Sequence, residues 1–193
     1  MLYLDDNIAG FDLETALPLL SEQRREQVLR FRHEQGRKTC AMVYRLLCRG
    51  LLEEYGFSQL PVFEYGEHGK PSIVGHPEIF FSLSHCRQAV ACAISDRPIG
   101  VDIESVRPYR ESLVRYTMND AEQQRIKSAE HPDVEFTRLW TMKEAVVKRS
   151  GRGITGDIKH VLDDLPLGNT LDGSVSIETV VDEVRGYVYS VCE

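Results

Sequence analysis

The stretch IFFSLSHCRQAVACAISDRPIGVDIE, Ile79 to Glu104, decides how the chain is to be read. It holds three β-rich runs, IFFSLSH, AVACAIS and IGVDIE, with CRQ and DRP marking the reversals between them. The pattern predicts an antiparallel meander. Its last run carries Asp102 and Glu104 inside a short apolar segment, which a strand that only packs does not need. Residues two apart share one face of a strand, roughly 7 Å apart along the backbone. Both carboxylates therefore point one way, while Val101 and Ile103 point the other way into the core. Two acids on one face repel each other unless a cation sits between them. Oxygen ligands without His or Cys at metal spacing select a hard ion such as Mg²⁺. A solvent-facing acid pair on an edge strand is the plain alternative.

Upstream, SEQRREQVLRFRHEQ opens with Ser21 as an N-cap and carries Val28, Leu29 and Phe31 among charges, which predicts a helix. GRKTCAMVYRLLCRGLLEEYG repeats apolar residues at helical spacing (Ala41, Val43, Tyr44, Leu47, Leu51) and stops at Gly56. PVFEY and KPSI flank the turn-like GEHG as two short extended pieces. Downstream of Pro108, Asn119 and Glu122 have the spacing of a capping box, and Val134 to Ser150 reads as a longer amphipathic helix ended by GRG. DIKHVLD, SVSIETV and GYVYSVC read as closing strands. Helices then strands, twice over, with a midpoint near residue 97, predict an α+β fold of two similar halves, residues 1–97 and 98–193.

A third acid stands in LWTMKEAVVK, Leu139 to Lys148. Trp140, Glu144 and Lys148 are spaced four apart and share a helix face. Glu four residues before Lys is the favoured surface ion pair. These two, however, sit among Trp140, Ala145, Val146 and Val147, and burying an ion pair costs more than exposing one, which favours a functional role. Lys70, between Gly69 and Pro71, lies at a turn where a phosphate could be met. Ser84 and His85 end a strand. Adjacent strand residues face opposite ways, so a Ser–His nucleophilic dyad is disfavoured.

The net charge of −7 argues against general nucleic-acid binding. Ser21 to Arg49 nonetheless carries a net +5, leaving −12 on the remainder. Such a basic face suits a local anionic partner, or is simply a solvated helix face. The five cysteines are odd in number, scattered and without C-x-x-C, which fits reduced thiols. No run of eighteen apolar residues and no basic-then-apolar leader pattern occurs, so a soluble cytoplasmic protein with no membrane segment is expected.

Taken together, GKP, FSLSH, IGVDIE and WTMKEAVVK, in that order from Gly69 to Lys148, resemble the signatures of the 4′-phosphopantetheinyl transferases. The G-x-D-x-E strand and W-x-x-K-E-A-x-x-K helix are similar to the surfactin-type (Sfp-type) branch at every fixed position. The resemblance implies two similar α/β halves related by a pseudo-two-fold, with coenzyme A in the cleft between them, and a monomer with one site. It implies transfer of 4′-phosphopantetheine from coenzyme A to a serine of an apo acyl or peptidyl carrier protein, releasing adenosine 3′,5′-bisphosphate. Asp102, Glu104 and Glu144 would hold Mg²⁺ (or Mn²⁺), Glu144 would take the serine proton, and Lys148 would stabilise the leaving phosphate. Lys70, Pro71, Ser84 and His85 would line the adenine and 3′-phosphate end, joined by Lys38 or Arg45. The basic stretch 21–49 would also steer an acidic carrier. The sequence departs from the family at Ser82, where Asn is common, and at Cys86, where a second Ser is usual. The rival readings are a Mg²⁺-dependent hydrolase of the coenzyme A or nucleotide pyrophosphate, and a catalytically silent binding protein on the same fold.

Overall fold

The computed structural model describes residues 1–153, 157–163 and 175–193. Along the chain these form β1 (Leu2–Asp5), α1 (Leu13–Ala16), α2 (Glu22–Arg30), α3 (Glu34–Tyr55), β2 (Phe63–Tyr65), β3 (Pro71–Ile73), β4 (Phe80–His85), β5 (Val90–Ser95), β6 (Gly100–Ser105), α4 (Glu111–Thr117), α5 (Asp120–Ser128), α6 (Pro132–Ser150), β7 (Ile177–Asp182) and β8 (Tyr187–Cys192), with 3-10 turns at Leu17–Leu19 and Ile158–His160. The fold is α+β. β1, β5 and β4 make one antiparallel sheet, β6, β8 and β7 make another, and β2 and β3 form a separate hairpin. Each large sheet is built the same way: a first strand, a long helix, then a hairpin whose last strand lies in the middle. No helix among the described residues is long and apolar enough to cross a membrane.

Side-chain size on alternate strand positions decides the layering. Phe81 on β4 with Val90, Cys92 and Ile94 on β5 pack against Tyr44, Leu47 and Leu51 of α3. The other face of the same hairpin is small, with Ser82 and Ser84 across from Ala93 and Ala91. That face receives Val101 and Ile103 of β6, and the two alanines, the Val and the Ile form a core between the sheets. In the second half Leu139, Met142 and Ala145 of α6 pack with Ile177 and Cys192. Gly100 makes this packing close: a Cβ there would lie 1.9 Å from the Ala145 carbonyl oxygen and 2.5 Å from the Arg149 nitrogen.

Ser21 caps α2, Asn119 and Glu122 form a complete capping box on α5, and Gly56 and Gly151 end α3 and α6 at φ 64° and 67°. Three expectations are corrected. The helix from Ser21 breaks at Phe31, which turns extended, and α3 begins at Glu34 instead of Gly36. The Phe31 ring lies against the bare Cα of Gly36, and its carbonyl accepts from Arg37 Nε at 2.8 Å. The meander stops after β5, because β1 already occupies the outer edge of β5, and β6 joins β8 instead. Asp157–Asp163 holds the 3-10 turn Ile158–His160 and no strand. The Ile158 and Lys159 carbonyls that a ladder would use are taken by Lys143 Nζ at 2.9 and 2.8 Å. Part of the expected SVSIETV strand lies outside the described residues; β7 begins at Ile177.

Candidate active site

Asp102 is 3% exposed, on the face of β6 that meets α6. Its Oδ1 accepts from Lys148 Nζ at 2.6 Å and from Ser84 Oγ at 2.8 Å. Its Oδ2 is buried with no partner among the described residues. A buried acceptor left unpaired is costly, so such an atom marks a position waiting for a group. Glu104 follows two residues on, and Glu144 faces β6 from α6; both are half-buried. Burial, then Asp102, holds the Glu144 carboxyl above its usual range against the opposing Lys148. Glu104 is raised likewise by burial and then Asp102, with Glu144 adding and Arg107 and Lys148 opposing. The three acids thus share one electrostatic environment in which Lys148 does not balance the negative charge. Their all-oxygen donor set and the orphaned Oδ2 fit a hard divalent cation. As they stand they are not gathered into a shell: among the described residues no three His, Cys, Asp or Glu side chains group closely enough to hold an ion.

Lys148 forms its ion pair with Asp102 and not with Glu144 one turn back. Ser84 is committed. Its single proton goes to Asp102, and its oxygen accepts from Lys148 Nζ at 3.0 Å and from the Ile103 N–H at 3.2 Å. A hydroxyl has one donor and two lone pairs, so Ser84 has none left for a ligand. His85, at the end of β4, keeps solvent access. Burial by surrounding protein, then Lys148, pushes its imidazole below the usual range, with Asp102 opposing and Arg24 adding.

A cleft of about 300 Å³ opens beside these residues, lined by Lys70, Pro71, Ser82, Glu144 and Lys148 among others. Lys70 is drawn away from it: its ammonium donates to the Ile99 and Arg149 carbonyls at 3.2 and 2.9 Å, tying the β2–β3 turn to the end of α6. Burial lowers its pKa first, and Arg149 second. The expected basic partners are not brought in either. Lys38 pairs with Glu34 at 3.1 Å, and Arg45 lines a separate hollow with Asp5 and Asp12, where its Nη1 reaches the Leu19 carbonyl.

The sequence reading counted Arg24 only within the basic stretch 21–49 that would steer an acidic carrier; at 7% exposed it is not on that surface. Its guanidinium is buried over the rings of Tyr44 and Phe63, 5.1 and 5.0 Å from their centroids, and its Nε has no partner among the described residues. The signal was available: Arg24 stands four residues before Val28, the one fully buried apolar residue of α2, and so shares its inward face. A second groove, of about 630 Å³, is lined by Glu104, Arg107, Tyr109, Arg110, Tyr116 and Trp140 among others. Glu144 and Lys148 line the first hollow and Glu104 the second.

Residues 98–192, which carry all three acids and Lys148, match the family model of the 4′-phosphopantetheinyl transferase superfamily. The chain is 28% identical to the 4′-phosphopantetheinyl transferase Sfp of Bacillus subtilis over 180 residues, covering 92% of this chain and 79% of that protein. It is 33% identical to the transferase psf-1 of Bacillus pumilus, over 79% of this chain and 66% of the relative. The transferase AcpT of Salmonella typhimurium is 37% identical over 56% of this chain and 59% of its own length. The acid pair on β6 and the Glu–Lys pair on α6 fall within the residues that the family model matches, and the chain belongs to the 4′-phosphopantetheinyl transferase superfamily, in its surfactin-type branch.

Proposed function

We propose that this protein transfers the 4′-phosphopantetheine group of coenzyme A to a serine hydroxyl of an apo acyl or peptidyl carrier protein. The observation that carries the reading is the buried Asp102, with one oxygen unpartnered among the described residues, grouped with Glu104, which lines one hollow, and Glu144, which lines another. One hollow suits the donor and the other the acceptor, so each substrate reaches one of the acids.

The serine oxygen bonds to the pantetheine-bearing phosphorus, and the bridging bond to the adenosine phosphate breaks. Glu144 takes the serine proton; a carboxyl held above its usual range is a stronger base once ionised. Lys148, whose ammonium already reaches the bottom of the cleft, offers charge to the departing phosphate oxygens. Asp102, Glu104 and Glu144 would hold Mg²⁺ or Mn²⁺, which supplies charge neutralisation at the pyrophosphate. For the 3′-phosphate we favour Arg24 over Lys38 and Arg45. Its charge is felt at His85, and no carboxylate among the described residues neutralises it.

The basic face of residues 21–49 is less open than its charge suggests. Arg24 is buried, and Arg30, Lys38 and Arg49 pair with Glu26, Glu34 and Glu53. We therefore assign carrier steering to the exposed Arg25 and Arg32 together with Arg107 and Arg110 at the acceptor groove. The reading includes division into halves at residues 97 and 98 and a monomer, since all the proposed groups lie on one chain. A cytoplasmic location fits five unpaired cysteines.

The test is intact-mass spectrometry of apo carrier proteins incubated with the protein, coenzyme A and Mg²⁺, with and without EDTA. An EDTA-sensitive gain of one phosphopantetheine on a carrier is expected. Coenzyme A cleaved without transfer would establish a hydrolase instead, and inertness toward every carrier would favour a silent fold.

A further inference from the structure

The two large sheets meet where β6 lies over β4. Contacts advance in step along both strands, Val101 onto Ser82 and Ile103 onto Ser84, so the strands run in the same direction there. One edge of β6 is paired with β8. On its other side the Val101 and Ile103 N–H groups, both on fully buried residues, donate to the hydroxyls of Ser82 at 3.0 Å and Ser84 at 3.2 Å. Buried backbone donors need partners, and two serine side chains supply them in place of a neighbouring strand. The approach is open because Ala91 and Ala93 stand across from those serines on β5.

Asp102 sits between the two tethered amides. We propose that Ser82 is a positioning residue for phosphopantetheine transfer: its bond to Val101, with Ser84's to Ile103, fixes the rotation of β6 and so aims Asp102 at Lys148 and Glu144. Ser84 also touches the carboxylate itself, whereas Ser82 acts through the backbone alone. With a single tether left at Ile103, the β4-facing edge of β6 is held at one point and the strand can tilt about its ladder with β8, which lengthens the 2.6 Å contact between Asp102 and Lys148. The proposal rests on the transferase reading only for its kinetic arm.

The test compares Ser82→Ala and Ser82→Cys with the unaltered protein. Cysteine keeps the size but is a poor acceptor, which separates the hydrogen bond from packing. Amide exchange on the protein alone, without coenzyme A, should show the Val101 amide exchanging at least about tenfold faster in both variants, with the α3 core unchanged. Turnover should fall by roughly tenfold to a hundredfold, as about 1 Å of misplacement allows, while KM for coenzyme A stays within about twofold. Unchanged Val101 exchange would overturn the tether. A raised KM for coenzyme A at unchanged kcat would make Ser82 a ligand contact, and full activity of Ser82→Cys would reduce it to packing. Should no carrier be accepted by the unaltered protein, Mn²⁺ affinity followed by electron paramagnetic resonance replaces turnover. Equal affinity in both variants would then refute the positioning role.

Discussion

Gly100→Ala should separate the acids of the site without altering any of them. The glycine is needed for approach and not for conformation, since it is not among the glycines of positive φ. A Cβ at this position would fall 1.9 Å from the Ala145 carbonyl oxygen and 2.5 Å from the Arg149 nitrogen, both backbone atoms of α6. Contacts under 3.0 Å are essentially never seen, so β6 and α6 must part by about 1 Å or more. α6 carries Glu144 and Lys148, and β6 carries Asp102 and Glu104. The parting therefore stretches the 2.6 Å bond from Lys148 to Asp102 to a distance at which little of it remains. Overpacking of this kind costs about 1–3 kcal/mol, which for a domain of this size lowers Tm by roughly 2–12 °C. Misplacement of about 1 Å at reacting groups costs about a hundredfold in rate. Thermal unfolding by circular dichroism and initial rates of carrier modification, measured well below Tm, read the two effects separately. A Gly100→Ala protein with both unchanged would refute the claim that helix–strand contact sets the site; a lowered Tm with full activity would refute the coupling between them.

Glu144→Gln should abolish transfer by at least about a hundredfold. It should also raise the Tm of the metal-free protein, because a carboxyl whose folded pKa lies above its unfolded value favours folding fully only below the unfolded value and loses that contribution as pH rises through the folded one. By the same sign, the Glu104 and Glu144 carboxyls of the metal-free protein should titrate above the ordinary glutamate range when followed by carboxyl NMR; titration at or below that range would contradict their burial. Lys143→Met should cost about 3–5 kcal/mol in urea unfolding, because it leaves the buried Glu122, 2.8 Å from the ammonium, without its cation. Adding Glu122→Gln, which keeps the capping box but drops the charge, should recover much of that loss. Arg24→Met should raise KM for coenzyme A by roughly tenfold to a hundredfold and leave 3′-dephospho-coenzyme A little affected; equal effects on both would remove Arg24 from the 3′-phosphate.

Features confined to one element were readable in the sequence, and features that join distant elements were not. Asn119 and Glu122 cap α5 as their spacing predicts, and Asp102 and Glu104 do share the α6-facing side of β6. Strand partnership escaped, because the place of β6 depends on β1, some ninety residues earlier, having taken the edge of β5. The cations escaped for the same reason. Lys70 looked like a phosphate ligand at a turn, yet the carbonyls at the end of α6 and before β6 claim it, and no local pattern announces a carbonyl from another element. The two lysines of the WTMKEAVVK motif are the instructive pair. They stand five residues apart, which on a 3.6-residue helix puts them on different faces. Lys143 is fully buried and spends its donors on Glu122 and two carbonyls of the 3-10 turn, bracing the second half. Lys148 stays partly open and meets Asp102. The motif therefore encodes two separate requirements: Lys143 braces α6 against α5 and the 3-10 turn, while Glu144 and Lys148, one turn apart, line the charged cleft.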